Sequence, residues 1–199
     1  MRIFFLLSLF IIYTAPLYAQ DDISVGDVRG MIWGVGQADV QEFETAEYFG
    51  SFENSITYEG PDMGVDAFIT YFFSGDKLSQ ARIKYALNRP DAQIYVNDYI
   101  EIGDAITEIY GDPTYENLTF KSKKYRNDPQ RWGIAAVTGD MIFETRWETP
   151  TTLIRLTFSG EDFKPDIRSL FISKTIAFQS DMESLTPDSV EDEEIQNLP

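Results

Sequence analysis

The chain of 199 residues contains no histidine and no cysteine. Their absence removes the imidazole proton shuttle, the thiolate nucleophile and the soft-metal ligands on which most catalytic and metal sites depend near neutral pH. It also excludes a disulfide or a lipid carried on cysteine, so the core alone must hold the fold together. Positive charge is scarce as well. Sixteen Lys and Arg stand against 33 Asp and Glu, a formal net charge of −17. Such a surface repels phosphate backbones and anionic lipid, which excludes nucleic acid as a partner. The sequence has no Gly-x-Ser-x-Gly elbow, no EF-hand run of alternating acids and no Gly-x-x-x-x-Gly-Lys phosphate cradle. Gly34-Val35-Gly36 lacks the third glycine and the preceding strand of a dinucleotide fingerprint. No cofactor, metal or catalytic residue is expected.

What is present begins with a leader. Arg2 precedes an apolar run from Ile3 to Ile12 broken only by Ser8, followed by Pro16 and an expected cut after Ala19. The run is about half the ~20 residues a spanning helix needs. A signal peptide over 1–19 is therefore expected, with no membrane span after its cleavage and a periplasmic or secreted location. Losing Arg2 moves the charge from −17 to −18, because the leader holds no acidic residue. Residues 20–179 are enough for one domain with a sizeable core. From Ser180 the composition changes: Asp181, Glu183, Asp188, Glu191, Asp192, Glu193 and Glu194 appear with no basic residue. Residues 180–199 read as a disordered acidic tail.

Between leader and tail the periodicity predicts helix, strands, helix, strands. Val40, Phe43 and Glu47 recur at three and four within Gln37 to Phe49, after the turn-prone Trp33-Gly34-Val35-Gly36, with the indole closing the core. From Tyr95, the residues Tyr99, Ile102, Ile106 and Ile109 draw one apolar stripe that stops at Tyr110-Gly111-Asp112-Pro113. Gly103 within that stripe points to a close neighbour. Ala67, Ile69, Tyr71 and Phe73 alternate with Phe68, Thr70 and Phe72, and a turn at Ser74-Gly75-Asp76-Lys77 leads to a return strand with Arg82 and Lys84 on its wet face. Ile154, Leu156 and Phe158 lead in the same way into Ser159-Gly160-Glu161-Asp162 and a return through Ile167, Leu170 and Ile172. The expected fold is α+β: an antiparallel sheet with two main helices, arranged as a degenerate tandem repeat of a helix and about three strands.

The halves differ in one stretch, Thr114 to Gly139. It carries Lys121, Lys123, Lys124, Arg126 and Arg131 in eleven positions, interleaved with Phe120, Tyr125 and Trp132. Lys121, Lys123, Lys124, Tyr125, Arg126, Arg131 and Trp132 are the candidate partner-binding residues, able to grip an acidic protein surface by charge and cation–π contact. The competing structural reading pairs these cations with nearby carboxylates or with the acidic tail.

Trp33-Gly34 with Val40 and Glu44 or Glu47, and later Tyr110-Gly111-Asp112-Pro113, resemble a loose group of exported bacterial proteins of unknown function. The alternation of helices and antiparallel strands in two halves is similar to the β-lactamase-inhibitor-protein-like architecture, which implies protein binding across a sheet face. No catalytic residue comes with either resemblance, and the chain lacks the acylated cysteine of the related assembly lipoproteins. The functional expectation is a non-enzymatic binding or envelope-associated protein whose partner is an envelope or extracellular protein. Its contacts would be the basic stretch and an aromatic sheet face. The alternative is a hydrolase acting on cell-wall or other carbohydrate through Asp and Glu alone, which requires two convergent carboxylates in a concave pocket. A third reading is a scaffold in which the basic stretch is fully paired.

Overall fold

A computed structural model of the chain describes residues 26–176. The leader and the acidic tail read from the sequence lie outside the described residues. The elements follow as α1 (Gln37–Phe43), β1 (Glu47–Phe52), β2 (Ser55–Asp62), β3 (Val65–Ser74), β4 (Lys77–Tyr85), α2 (Ile94–Tyr110), β5 (Tyr115–Phe120), a 3-10 turn (Pro129–Arg131), α3 (Trp132–Val137), β6 (Met141–Glu148), β7 (Thr152–Glu161) and β8 (Lys164–Ser173). All eight strands join one antiparallel sheet in the order β1-β2-β3-β4-β8-β7-β6-β5. The α+β class with an antiparallel sheet is thus observed. Among the described residues no helix is long and apolar enough to cross a membrane.

Each half contributes four strands where the pattern predicts about three. In the first half the difference lies at Glu47, which the spacing places on a helix running to Phe49. The helix ends instead at Phe43, because the Glu44 carboxylate turns inward and accepts the backbone N–H groups of Thr45 and Ala46 at 2.8 and 2.9 Å. Glu44 itself is extended, and Phe43 is left 66% exposed. Tyr48, Phe49 and Phe52, freed from the helix, form an aromatic edge strand. In the second half the extra strand is β5, the first part of the stretch from Thr114.

Alternation sets the two faces of the sheet. Ile56 and Tyr58, then Ala67, Ile69, Tyr71 and Phe73, then Phe143 and Trp147, then Ile154, Leu156 and Phe158 are buried on one face. The helices pack there. The Tyr99 ring of α2 lies 5.3 Å from Phe143 while its hydroxyl meets Thr145 Oγ1 at 2.7 Å. Trp147 donates its indole N–H to Thr107 Oγ1 at 3.1 Å. Tyr95, Tyr99, Ile102 and Ile106 make the expected stripe, whereas Ile109 is 40% exposed. Gly111 stops α2 at φ 87°, a conformation that costs glycine little. Trp33 closes the core from the N-terminal side, its indole N–H on Thr152 Oγ1 at 2.8 Å.

The two hairpin turns are not in equivalent register. Gly75 occupies the first turn, but Gly160 lies inside β7, paired with Pro165, and the second turn is Asp162-Phe163, both at positive φ. Gly160 has a packing reason: a Cβ there would sit 2.7 Å from Val137 Cα.

Gly103 does not have the close neighbour that the sequence points to. A Cβ at Gly103 would meet Leu156 Cδ2 at 3.7 Å and Trp147 at 4.0 Å, ordinary contact, whereas one at Gly133 would strike the Ala92 carbonyl oxygen at 2.2 Å. Gly103→Ala is therefore expected to stabilise the protein by about 0.5–1 kcal/mol through helix propensity, and Gly133→Ala to destabilise it. Urea unfolding midpoints of the two variants check both signs, and a loss of stability in Gly103→Ala would contradict the packing described.

Candidate functional site

Three places gather polar or charged side chains. The first is a hollow of about 420 Å³ between the N-terminal loop, the end of α1 and the end of α2, lined in part by Arg29, Glu44, Asp62, Met63 and Tyr110. It holds the two convergent buried carboxylates that a hydrolase would need, with Glu44 and Asp62 side chains 2% and 3% exposed. Their lone pairs are already engaged. Arg29 donates Nε and Nη2 to Glu44 at 3.1 and 3.0 Å, and Nη1 to Asp62 at 2.8 Å and to the Pro61 carbonyl at 3.1 Å. Tyr71 donates its hydroxyl to Glu44, and Tyr85 donates to Asp62 at 3.0 Å. Burial opposes ionisation of Glu44, but the bonds from Arg29, Tyr71 and the Ala46 amide outweigh it and hold the carboxyl below its ordinary range. A general acid needs the opposite shift. The cluster is a clamp that ties the N-terminal loop to α1 and β2.

The second place is the basic stretch. Lys121, Lys123, Lys124, Arg126 and Arg131 are exposed, and among the described residues none of them forms an ion pair. Pairing with nearby carboxylates is therefore not what the fold uses them for. The aromatic members behave differently from expectation. Tyr125 is 5% exposed, and it lies under Lys124 Nζ at 4.6 Å and Arg131 at 5.7 Å. Trp132 packs edge-on against Phe120 and Phe143 and donates its indole N–H to the Tyr125 carbonyl at 3.1 Å. Both rings are anchors that hold the loop on the core, leaving the cations as its accessible groups.

The third place is the sheet face turned away from the helices, where strand order assembles a pattern no single segment contains. Tyr115, Arg146, Arg155, Leu170, Arg82, Thr70 and Thr57 stand opposite one another in turn across β5, β6, β7, β8, β4, β3 and β2. Two residues along, about 7 Å further on each strand, lies a second row. Glu144, Thr157, Arg168, Lys84, Phe68 and Glu59 follow one another there from β6 to β2. Arg146↔Arg155 and Arg168↔Lys84 are like charges directly opposite, an arrangement that destabilises a sheet. Arg146 is paired with Glu144 and Arg168 with Asp166. Partial burial comes first in pressing Arg155 and Arg168 below the ordinary guanidinium range, with Arg82 adding its repulsion to both; both remain cationic at neutral pH.

On the β1–β3 side of the same face, Phe49, Phe52, Phe68 and Phe72 form an aromatic patch. Phe49 meets Phe68 edge-on at 5.2 Å, and Arg82 lies 5.1 Å over Phe72. Phe49 and Phe52 are 64% and 74% exposed. At the other end a hollow of about 340 Å³ is lined by Tyr115, Arg146, Glu148, Leu153 and Arg155, among others, with Arg146 4.8 Å over the Tyr115 ring. Paired guanidinium groups beside apolar surface suit carboxylate or other oxyanion groups carried on an apolar backbone. Sequence reasoning placed Arg82 and Lys84 on a wet strand face but missed Arg146, Arg155 and Arg168. Each of those three also sits at an outward position of an alternating strand, the signal that could have found them. Among the described residues no three His, Cys, Asp or Glu side chains are grouped so as to hold a metal ion.

Two outcomes follow from these placements. Reversing charge at Lys121, Lys123, Lys124 and Arg126 should change stability by less than about 1 kcal/mol, since only exposed cation–π contacts are lost; a larger drop in thermal midpoint would assign the loop to the fold. Glu44 makes stability depend on pH. Its folded pKa lies below its unfolded value of about 4.5, so its contribution is present above that pH and disappears as pH falls through the folded pKa. Glu44→Gln should cost about 3 kcal/mol at pH 7 and flatten the acid limb of the stability profile, read by denaturant titrations between neutral and acid pH.

No family model matches the chain, and no curated protein or solved structure is detectably similar to it.

Proposed function

We propose that the chain is an exported, non-enzymatic binding protein of the cell envelope. Its partner is a protein presenting acidic side chains next to apolar ones, and the helix-free sheet face is its main contact surface. The observation that carries this reading is the pair of like-charge contacts, Arg146↔Arg155 and Arg168↔Lys84, at the centre of an acidic protein. Glu144 and Asp166 offset part of the repulsion at Arg146 and Arg168, and the remaining concentration of cations becomes favourable when an anionic surface is laid across it. Phe49, Phe52, Phe68 and Phe72 add the rigid apolar area that strengthens protein interfaces. The exposed cations from Lys121 to Arg131 supply a second contact of the same sign. The sheet-face binding implied by the β-lactamase-inhibitor-protein-like resemblance points the same way. The hydrolase alternative loses ground because Glu44 and Asp62 are consumed by Arg29, Tyr71 and Tyr85.

The reading is tested by placing a photo-crosslinking residue at Thr70 or Thr157 on the helix-free face, at Lys123 in the basic stretch, and at Glu101 on the outer side of α2. Irradiated in cells, the protein should give a discrete protein adduct from positions 70 and 157, diminished when Arg82 and Arg168 are both replaced by Glu. Adducts that arise equally from position 101, or none from the sheet-face positions, would reject the face as the binding surface.

A further inference from the structure

The helix-free face has a candidate occupant within the chain itself. Residues 177–199 carry seven carboxylates, Asp181, Glu183, Asp188, Glu191, Asp192, Glu193 and Glu194, and no basic residue, with Met182, Leu185, Val190, Ile195 and Leu198 distributed among them. The face offers cations for them: Arg82, Lys84, Arg146, Arg155 and Arg168 around Leu170, with Phe68 and Phe72 alongside. Glu144 and Asp166 on the same face hold Arg146 and Arg168, so the segment competes with them for part of the set. These five account for a third of the fifteen basic residues that remain when Arg2 is set aside.

The chain leaves the described structure at the end of the sheet, where Ile176 packs beside Gly34 against the core cluster. Ile172, the penultimate residue of β8, stands on the helix-free face between Leu153 and Gln80, so the segment reaches that face by turning round the sheet's end. The first arginine row lies about 7 Å back along β8 from the Ile172 row and the second about 13 Å. The segment as a whole can extend about 75 Å, twice the ~34 Å between the outer strands of an eight-stranded sheet.

We infer that residues 177–199 dock across the arginine rows of the helix-free face as an intramolecular competitor, so that an acidic partner gains access by displacing them. This rests on the reading of that face as the binding surface, but the docking itself is measurable with no partner present. Because attraction is between charges at a partly solvated surface, it weakens as salt shortens the screening length to about 3 Å at 1 M.

The absence of cysteine makes a single label simple to place. With Ser189→Cys carrying a nitroxide in the isotope-labelled exported protein, amides of Arg82, Lys84, Arg155, Thr157 and Arg168 should lose most of their signal at low salt and regain it at high salt. Those of Glu101, Asp104 and Glu108 on α2 should be unaffected. The same label in an Arg82→Glu, Arg168→Glu background should broaden none of them, with an unchanged spectrum elsewhere showing that the fold persists. Broadening centred on Lys121 to Arg131 would move the segment to the basic loop and overturn the inference, as would uniform or absent broadening. Broadening of label-free isotopic protein by added nitroxide-labelled chains would instead assign the face to a second copy, which also overturns it. A docked segment together with no crosslinked partner would leave this inference standing and reject only the partner reading.

Discussion

The pairing of β4 with β8 is the joint on which this structure depends. Five residue pairs, from Gln80↔Ile172 to Lys84↔Arg168, are, among the described residues, the only ladder that joins the first four strands to the last four. Towards the helices the seam is apolar and tight, with Ala81 opposite Phe171 and Ile83 opposite Ser169. Without it each half would be a four-stranded sheet with an exposed central edge, prone to pairing with other chains. The seam also decides the chemistry of the opposite face, because it sets Arg82 and Lys84 of the first half beside Leu170 and Arg168 of the second.

A buried polar network reinforces the same joint. Tyr85 on β4 reaches Asp62 on β2 at 3.0 Å and Ser169 on β8 at 3.2 Å, and Asp62 in turn holds Arg29. Burial and the adjacent Asp62 charge keep the Tyr85 hydroxyl protonated, its pKa well above the ordinary tyrosine range. Tyr71, buried and bonded to Glu44, is protonated for the same reasons. The N-terminal loop, α1, β2, β4 and β8 are thereby linked through groups that are satisfied by one another, which is the condition under which buried polar groups specify a structure rather than weaken it. Convergence of two carboxylates in a cavity resembles an acid–base pair only until their partners are counted.

The distribution of positive charge carries the functional contrast. Ten cations lie on two surfaces, five in the loop from Lys121 to Arg131 and five on the helix-free face, in a chain whose net charge is −17. The loop was visible in one dimension because its residues are adjacent. The face was not, because Arg82, Arg146, Arg155 and Arg168 are spread over 87 positions of sequence and meet only through strand order.

What the sequence determined alone was whatever depends on near neighbours. The stripe of Tyr95, Tyr99, Ile102 and Ile106, the stop at Gly111, the alternation of β3 and β7 and the core position of Trp33 all follow from local periodicity and conformational preference. The end of α1 escaped because Glu44 is drawn inward by Arg29 and Tyr71, 15 and 27 residues away, and the role of Gly160 escaped because it is set by contact with Val137. Tertiary structure alone decided that β4 lies beside β8, that Glu44 and Asp62 share one guanidinium, and that five cations from four strands form one surface. Each is a matter of which distant segments come together, and that is settled by burial of apolar faces over the whole chain, which no local window of residues contains.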